Sequence, residues 1–545
     1  MPVALTINGQ VATAARDATI FDCAEALGVR VPTSCQKQGK CRECLIEVTE
    51  GGDLVSPRTE EEKHLDGRFR LACRTVVRAD AGAFVCHTMR RIPMRIETSG
   101  AGLPPFAAGL DPAVTRRGDW ICIEGEPVAR SAGPIHGLAL DLGTTTVVMR
   151  LFNCETGERI ASASFENPQR FAGSDVMARI HYDSLHPGRL LRRTLAGYLS
   201  HAIAEFPVDP HSIYEVVVVG NSTMRDLFFC QSVHSIGQSP YQSITELEVA
   251  AGRRFSTSLT ETGGRSLLPI HPRARVWGAP VISGHVGADA AACMLAAGLA
   301  REDRLIAIMD IGTNTELMVG NRHRVLAASC PAGPAFEGGA IACGMPAVDG
   351  AIEDVCIAPD GSFQLQVIGG GAPQGICGSG LVALLSELLR TGRMNACGRF
   401  EDGVDRILLD PQGSVYFLES DASELAQAKG ANAAGLQIVF GKYGIDFNQI
   451  DVFYLAGGFG RHIDIPAATR IGLIPPISAG RIVQAGNAAI EGASMALLSR
   501  SRRGELESLV YQVEHCRLET HPQFFDYFVE GCLFQAMQPL LRVAE

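Results

Sequence analysis

Pro32-Thr33-Ser34-Cys35-Gln36-Lys37-Gln38-Gly39-Lys40-Cys41-Arg42-Glu43-Cys44 is the stretch that decides how the N-terminal part of this chain folds. With Cys73 farther on, the four cysteines Cys35, Cys41, Cys44 and Cys73 read C-x5-C-x2-C-x28-C. A [2Fe–2S] cluster needs four thiolates, and a compact loop that supplies three of them with a distant fourth meets that need. Gly39 lets such a loop wrap, and the free backbone N–H groups around it can hydrogen-bond to cluster sulfurs. A structural zinc site and four unrelated thiols are the alternatives. Zinc sites rarely place three ligands in one loop and one alone.

Outward from the loop, residues 1–96 read as one small domain. Residues 3–7 and 10–13 flank Asn8-Gly9, a two-residue hairpin signal. Residues 20–27 have helical apolar spacing through Ile20, Cys23, Ala24 and Leu27 and stop before Gly28. Cys44-Leu45-Ile46-Glu47-Val48 reads as a strand. Cys23 and Cys86 flank the motif at apolar packing positions. The cysteine spacing resembles that of vertebrate- and bacterial-type [2Fe–2S] ferredoxins more than the plant type, whose first gap is C-x4-C. That resemblance implies a β-grasp fold.

Composition bounds the rest. A chain of 545 residues is too long for one core. The hydrophobic fraction of 46% and charged fraction of 20% are those of an ordinary globular protein. A net charge of −11 argues against non-specific nucleic-acid or anionic-membrane binding. No apolar run reaches membrane-spanning length and no signal peptide is legible, so a cytoplasmic location is expected. Seventeen cysteines then indicate reduced thiols plus a cluster rather than a disulfide framework.

Residues 97–134 change character, with Ser99-Gly100-Ala101-Gly102-Leu103-Pro104-Pro105 followed by Gly109, Pro112, Gly125, Pro127, Gly133 and Pro134. They read as a linker with one short strand at Trp120-Ile121-Cys122-Ile123. Beyond it, Leu138-Ala139-Leu140-Asp141-Leu142-Gly143-Thr144-Thr145-Thr146 is echoed by Ile306-Ala307-Ile308-Met309-Asp310-Ile311-Gly312-Thr313-Asn314-Thr315. Each is an apolar strand running into D-x-G-T-x-T. Glycine admits the backbone close to an anion, and successive N–H groups and hydroxyls donate to phosphate oxygens. Asp141 and Asp310 at the strand ends can hold Mg²⁺ directly or through water. Two such loops suggest a duplicated fold clamping one phosphate chain from both sides. A third loop, Leu455-Ala456-Gly457-Gly458-Phe459-Gly460, follows another apolar strand and suits an adenine or ribose. The candidate nucleotide contacts are Gly143, Thr144, Thr145, Thr146, Asn221, Gly312, Thr313, Asn314, Thr315, Gly457, Gly458 and Gly460. Asn221 follows the strand Val216-Val217-Val218-Val219-Gly220, and a helix N-cap is its plainer reading. Glu337 is a candidate for positioning water or Mg²⁺, with loop solvation the plainer reading. No G-x-x-x-x-G-K-[ST] loop is present. Gly375-Ile376-Cys377-Gly378-Ser379-Gly380 reads as a helix start, and Glu514 to Phe534 as terminal strands or tail.

Two phosphate hairpins and a late glycine loop resemble the acetate and sugar kinase, Hsp70 and actin superfamily. A β-grasp ferredoxin domain joined to such an ATPase resembles the reductive activators of corrinoid-dependent enzymes. Asn167-Pro168-Gln169, Gly220-Asn221-Ser222-Thr223-Met224 and Pro331–Gly339 add to the likeness. The resemblance implies an α/β and α+β multidomain architecture: a cluster domain at 1–96, a linker at 97–134, a first actin-like lobe at 135–206 and a larger second lobe at 207–545. It implies a [2Fe–2S] cluster, ATP and Mg²⁺ as cofactors, and a corrinoid protein as partner, returned from Co(II) to Co(I). A low-potential donor such as a reduced flavoprotein or ferredoxin would supply the electron, and a homodimer is compatible with the sequence. An uphill gap of ~100 mV costs about 2.3 kcal/mol per electron, within reach of nucleotide energy. No D-x-H-x-x-G signature is present, so the corrinoid belongs to the partner. A redox-gated small-molecule kinase and a nucleotide-dependent redox scaffold remain as alternatives.

Overall fold

The computed structural model describes residues 3–89, 102–104, 109–186, 188–458, 460 and 462–538. The N-terminal domain contains β1 (Val3–Ile7), β2 (Gln10–Ala14), α1 (Ile20–Ala26), β3 (Leu45–Glu50), β4 (Phe69–Leu71) and β5 (Ala83–Thr88). Its sheet runs β2-β1-β5-β3-β4, with β1 parallel to β5. Asn8 and Gly9 take φ of 51° and 81°, the pair of positive values that a tight hairpin turn needs. The side chain of Thr19 accepts from the Asp22 N–H and starts α1.

Part of the expected linker, residues 97–101 and 105–108, lies outside the described residues. The remainder differs from the sequence reading. Instead of one strand it forms three, β6 (Val114–Arg117), β7 (Trp120–Ile123) and β8 (Glu126–Arg130), in an antiparallel sheet. Val114, Ile121 and Ile123 bury against Ile135, Cys154 and Tyr214, so apolar alternation outweighs the glycines and prolines between the strands.

The first lobe holds β9 (His136–Leu142), β10 (Thr146–Asn153), β11 (Arg159–Glu166), α2 (Val176–Leu185), α3 (Leu190–Ala204), β12 (Ile213–Gly220), α4 (Ser222–Phe228), α5 (Ile244–Ala250), β13 (Leu259–Thr262), α6 (Gly263–Ser266) and β14 (Arg275–Gly278). α7 (Ala288–Ala297) leads to the second lobe, whose main sheet is β15 (Ile306–Asp310), β16 (Thr315–Asn321) and β17 (Arg324–Cys330) with later strands added. Between them lie β18 (Ala351–Ile357), β19 (Phe363–Val367), β20 (Gly375–Ile376), α8 (Gly378–Arg390), β21 (Arg406–Leu408), β22 (Tyr416–Leu418) and α9 (Glu419–Tyr443). The chain ends with β23 (Val452–Ala456), α10 (Ile465–Arg470), β24 (Ile482–Gly486), α11 (Ala488–Leu498), α12 (Arg500–Leu509), β25 (Val513–His515) and α13 (Phe524–Gly531). The segment read as terminal strands or tail is therefore one short strand and a helix.

The two main sheets run β11-β10-β9-β12-β14-β13 and β24-β23-β15-β16-β17-β25. Each has a three-stranded meander (β9–β11, β15–β17) whose first strand pairs in parallel with a later one (β12, β23), which pairs in parallel with another (β14, β24). This is the duplication that the repeated D-x-G-T-x-T suggested. The boundary expected at residues 206 and 207 falls inside the first sheet, because β12 pairs with β9. The apolar run 216–219 reads equally well as the opening strand of a new domain, and only the pairing decides. α7 and α11 pack on each other in a core shared by both sheets, through residues such as Ala139, Val217, Ile308 and Tyr454. The N-terminal domain shares one apolar core with the first lobe.

Candidate functional site: a two-lobed cleft and a four-cysteine loop

The two hairpins meet. Asp141, Gly143, Thr144, Thr145 and Thr146 of the first lobe face Asp310, Gly312, Thr313 and Asn314 of the second across a cavity of about 120 Å³. Thr145 Oγ1 lies 2.9 Å from Thr313 Oγ1. Both hydroxyls are hydrogen-bonded to Glu337 Oε2, at 3.0 Å from Thr145. Asn221 follows β12 and does two jobs. Its Oδ1 caps α4 by accepting from the Met224 N–H at 2.9 Å, and its Nδ2 donates to Thr144 Oγ1 at 2.9 Å. Gly457 and Gly458 follow β23, the equivalent strand of the second lobe, and also line the cleft. Gly457 has φ of 99°, and a Cβ there would sit 2.2 Å from the Ile311 carbonyl oxygen.

Two of the expected contacts lie elsewhere. Thr315 is fully buried and absent from the cleft lining, its place taken by Glu316. Gly460 is likewise absent from the lining; its carbonyl accepts from Gln484 Nε2 at 3.0 Å. Phe459 lies outside the described residues. Three polar lining residues were not among the candidate contacts: Asp289, Glu316 and Asn487. Asp289 lies in the first turn of α7 and Asn487 caps α11, the helices that come next after the parallel strands β14 and β24. A single polar residue before or within an alanine-rich helix was the available signal.

Five carboxylates thus share the cleft. Burial pushes Asp141 up to about 7, opposed by a 2.8 Å hydrogen bond from Asn487 Nδ2 to its Oδ2 and reinforced by Asp310. Burial and then the charge of Asp141 push Asp289 to about 8. Burial raises Asp310, although the Cys293 thiol donates to it at 3.2 Å. Glu316 is raised well above the ordinary carboxylate range by burial, Asp289 and Asp310. Burial also raises Glu337 against the two threonine hydroxyls. Carboxylates gathered in this way disfavour one another's charged forms.

The cysteine loop is wound tightly around its own sulfurs. Gln36, Lys37, Gly39 and Arg42 all take positive φ, which turns successive N–H groups inward. The backbone N–H groups of Cys41, Lys40 and Gln38 donate to the Cys35 sulfur and hold its thiol down near 7 against burial. The N–H of Gly39 points at the Cys73 sulfur, whose thiol is lowered first by its bond with Cys44. The sulfurs fall into two pairs, Cys35 beside Cys41 and Cys44 at 3.3 Å from Cys73. Among the described residues, no three His, Cys, Asp or Glu side chains surround a single ion position. A [2Fe–2S] centre takes two thiolates per iron, whereas a structural zinc takes four ligands. Cys86 is fully buried in the apolar core and Cys23 packs against it, away from ligation.

Three family models cover most of the chain: a 2Fe-2S iron-sulfur cluster binding domain over residues 5–78, the RACo middle region over 136–302, and the C-terminal ASKHA domain of RACo over 304–542. This chain belongs to the RACo family. The boundary between the two RACo models falls beside α7, where the pairing of the sheets also divides the lobes. Among its relatives, a corrinoid activation enzyme, RamQ, of Eubacterium limosum is 28% identical over 586 aligned residues, covering 95% of this chain and 96% of the relative. A [Co(II) methylated amine-specific corrinoid protein] reductase of Methanosarcina barkeri is 24% identical, covering 72% of this chain and 76% of that one. A solved structure of a reductive activator for corrinoid,iron-sulfur protein superposes with a TM-score of 0.71 at 25% identity, over 98% of this chain and 99% of the other. The architecture shared with the family is a cluster-binding domain joined to an ATP-binding ASKHA fold. Among the described residues, no helix is long and apolar enough to cross a membrane.

Proposed function

We propose that this chain is an ATP-dependent activator that returns a partner's corrinoid from Co(II) to Co(I), one electron at a time. The observation that carries the reading is the joining, in one chain, of a thiolate loop shaped for a [2Fe–2S] cluster to a two-hairpin nucleotide cleft. When bound, the cluster supplies one-electron reduction, with Cys35, Cys41, Cys44 and Cys73 as its ligands. The donors of residues 143–146 and 312–314 hold the nucleotide phosphates, while Gly457 and Gly458 leave room for the nucleoside. Asp141 and Asp310, at the ends of the two central strands, would hold a magnesium ion directly or through water, with Asn487 fixing the Asp141 carboxylate. Glu337 accepts from Thr145 and Thr313 and keeps both hydroxyls at the mouth of the phosphate site. A reduced flavoprotein or ferredoxin fits as the electron source. The partner brings the corrinoid, because this chain shows no corrinoid-binding signature.

The test joins the two halves. With a low-potential donor, Mg-ATP and a Co(II) corrinoid protein, the full-length chain produces Co(I), read from its absorbance. ATP omitted at the same donor potential gives little. Equal Co(I) formation without ATP would overturn the coupling.

A further inference from the structure

The segment between the first hairpin and α3 touches both the nucleotide cleft and the cluster domain. On the cleft side, Asn167 Nδ2 donates to the Gly143 carbonyl at 2.8 Å, and its N–H donates to the Thr145 carbonyl at 2.7 Å. Arg179, 1% exposed, donates through Nη2 to the Thr144 carbonyl at 2.7 Å and through Nε to the Gly173 carbonyl at 3.1 Å. Three consecutive carbonyls of the first phosphate loop are therefore held by this segment.

On the other side, the same segment holds the cluster domain. Tyr182, one turn after Arg179 on α2, donates its hydroxyl to the His64 carbonyl at 3.0 Å. Phe171 meets the His64 ring edge-on at 6.1 Å, and Arg170 reaches Glu47 of β3 at 3.4 Å. The cluster loop itself sits on α3. His201 Nε2 accepts from the Thr33 N–H at 3.2 Å, and a Cβ on Gly197 would lie 2.8 Å from the Glu43 side chain. In this seat, Glu43, between cluster ligands Cys41 and Cys44, is packed against a helix of the first lobe.

The cleft in the same structure is narrow. Thr145 and Thr313 touch across it, and its cavity of about 120 Å³ falls short of the ~300 Å³ or more usual for small-molecule sites. A triphosphate must part the two hairpins. The first hairpin cannot shift without moving Asn167 and Arg179, which hold its carbonyls, and packed interfaces respond by changing between discrete arrangements.

We propose that residues 166–182 are a relay that couples the first phosphate loop to the seat of the cluster domain, so that nucleotide entry unseats the domain and frees the cluster loop to meet a redox partner. The inference rests on the nucleotide and cluster assignments above. By linkage, whatever unseats the domain must also tighten nucleotide binding by the same factor.

The experiment uses the full-length, cluster-loaded protein. Hydrogen exchange is followed in peptides covering residues 33–44 and 60–66, with and without Mg-ATP analogue, and nucleotide affinity is measured by calorimetry. In the wild type, nucleotide raises exchange in both peptides about fivefold or more, the lower end of ordinary coupling between sites. Gly197→Leu, which wedges the seat apart at a position remote from the cleft, shows high exchange without nucleotide and binds nucleotide about fivefold tighter. Tyr182→Phe, which deletes only a hydroxyl, moves both readouts the same way by a smaller factor. Normal nucleotide binding with unchanged exchange, and wild-type affinity in both variants, overturns the relay while leaving the proposed function standing. Absence of any nucleotide binding overturns both.

Discussion

His64 gives the seat of the cluster domain a pH dependence that can be worked out from its surroundings. The side chain is 6% exposed, packs on Phe171, and has no partner for Nδ1. Burial lowers its pKa to about 4, helped by the charges of Arg42 and His186 and opposed by a backbone bond at Glu61 and by Glu62. The folded state therefore excludes a proton that the unfolded chain takes up at about 6.5. Its stabilising effect is complete above that value and is lost as pH falls from about 6.5 toward 4. Between pH 7.5 and 5.5 the loss from this one group is about 1.3 kcal/mol. For a unit of this size that corresponds to a fall of roughly 5–10 °C in its melting temperature. The perturbation is His64→Phe, which keeps an aromatic ring against Phe171 and removes the titration. Melting of the holo protein is followed by cluster absorbance at several pH values. Acid sensitivity of the cluster itself is common to both proteins and cancels in the comparison. Identical pH slopes in wild type and variant would refute the argument that this ring is buried neutral.

Other outcomes bear on the cleft and the loop. Asn487→Ala removes a donor to a charged acceptor, worth about 1.5–3 kcal/mol, so Asp141 rises by roughly one to two units above its value near 7. The acidic limb of the pH profile for ATP turnover moves upward accordingly. Thr313→Val weakens nucleotide binding, read by calorimetry, whereas Thr315→Val leaves it unchanged, because the Thr315 hydroxyl is buried without a partner. Cys41→Ser or Cys44→Ser abolishes the reddish-brown cluster and its acid-labile sulfide, and Cys23→Ser retains both.

The behaviour of the two threonines shows where the sequence stops being legible. Both hairpins spell D-x-G-T-x-T, and the spelling places Thr146 and Thr315 at equivalent positions. In the structure Asp141 pairs with Val148 but Asp310 pairs with Glu316, so the two hairpins are offset in register by one residue. A one-residue change of register reverses the faces of a strand. Thr146 consequently faces the cleft, while Thr315 faces the core and Glu316 takes the cleft position. The cysteine loop was legible because its chemistry is local: three of four ligands lie within ten residues (35–44). Asp289 and Asn487 were not, since each is a lone polar residue whose meaning comes from strands paired far away in sequence. The hidden extent of the first lobe has the same cause, as the β12–β9 pairing spans more than seventy residues (142 to 213).

The path of the chain between the lobes limits how they can move. It crosses from the first sheet to the second through α7, leaves β24 to lay α11 back against α7 and β9, and returns through α12 to β25. Two helices pressed together on a common core behave as the pin of a hinge. Rotation about that pin would keep the shared core closed, whereas sliding or parting the lobes would pull it open. Angular motion at the nucleotide then becomes an arc traced by whatever rides on the outer face of the first lobe. The four-cysteine loop rests on α3 of that lobe, so while it is seated any rotation about the pin would carry the loop with it.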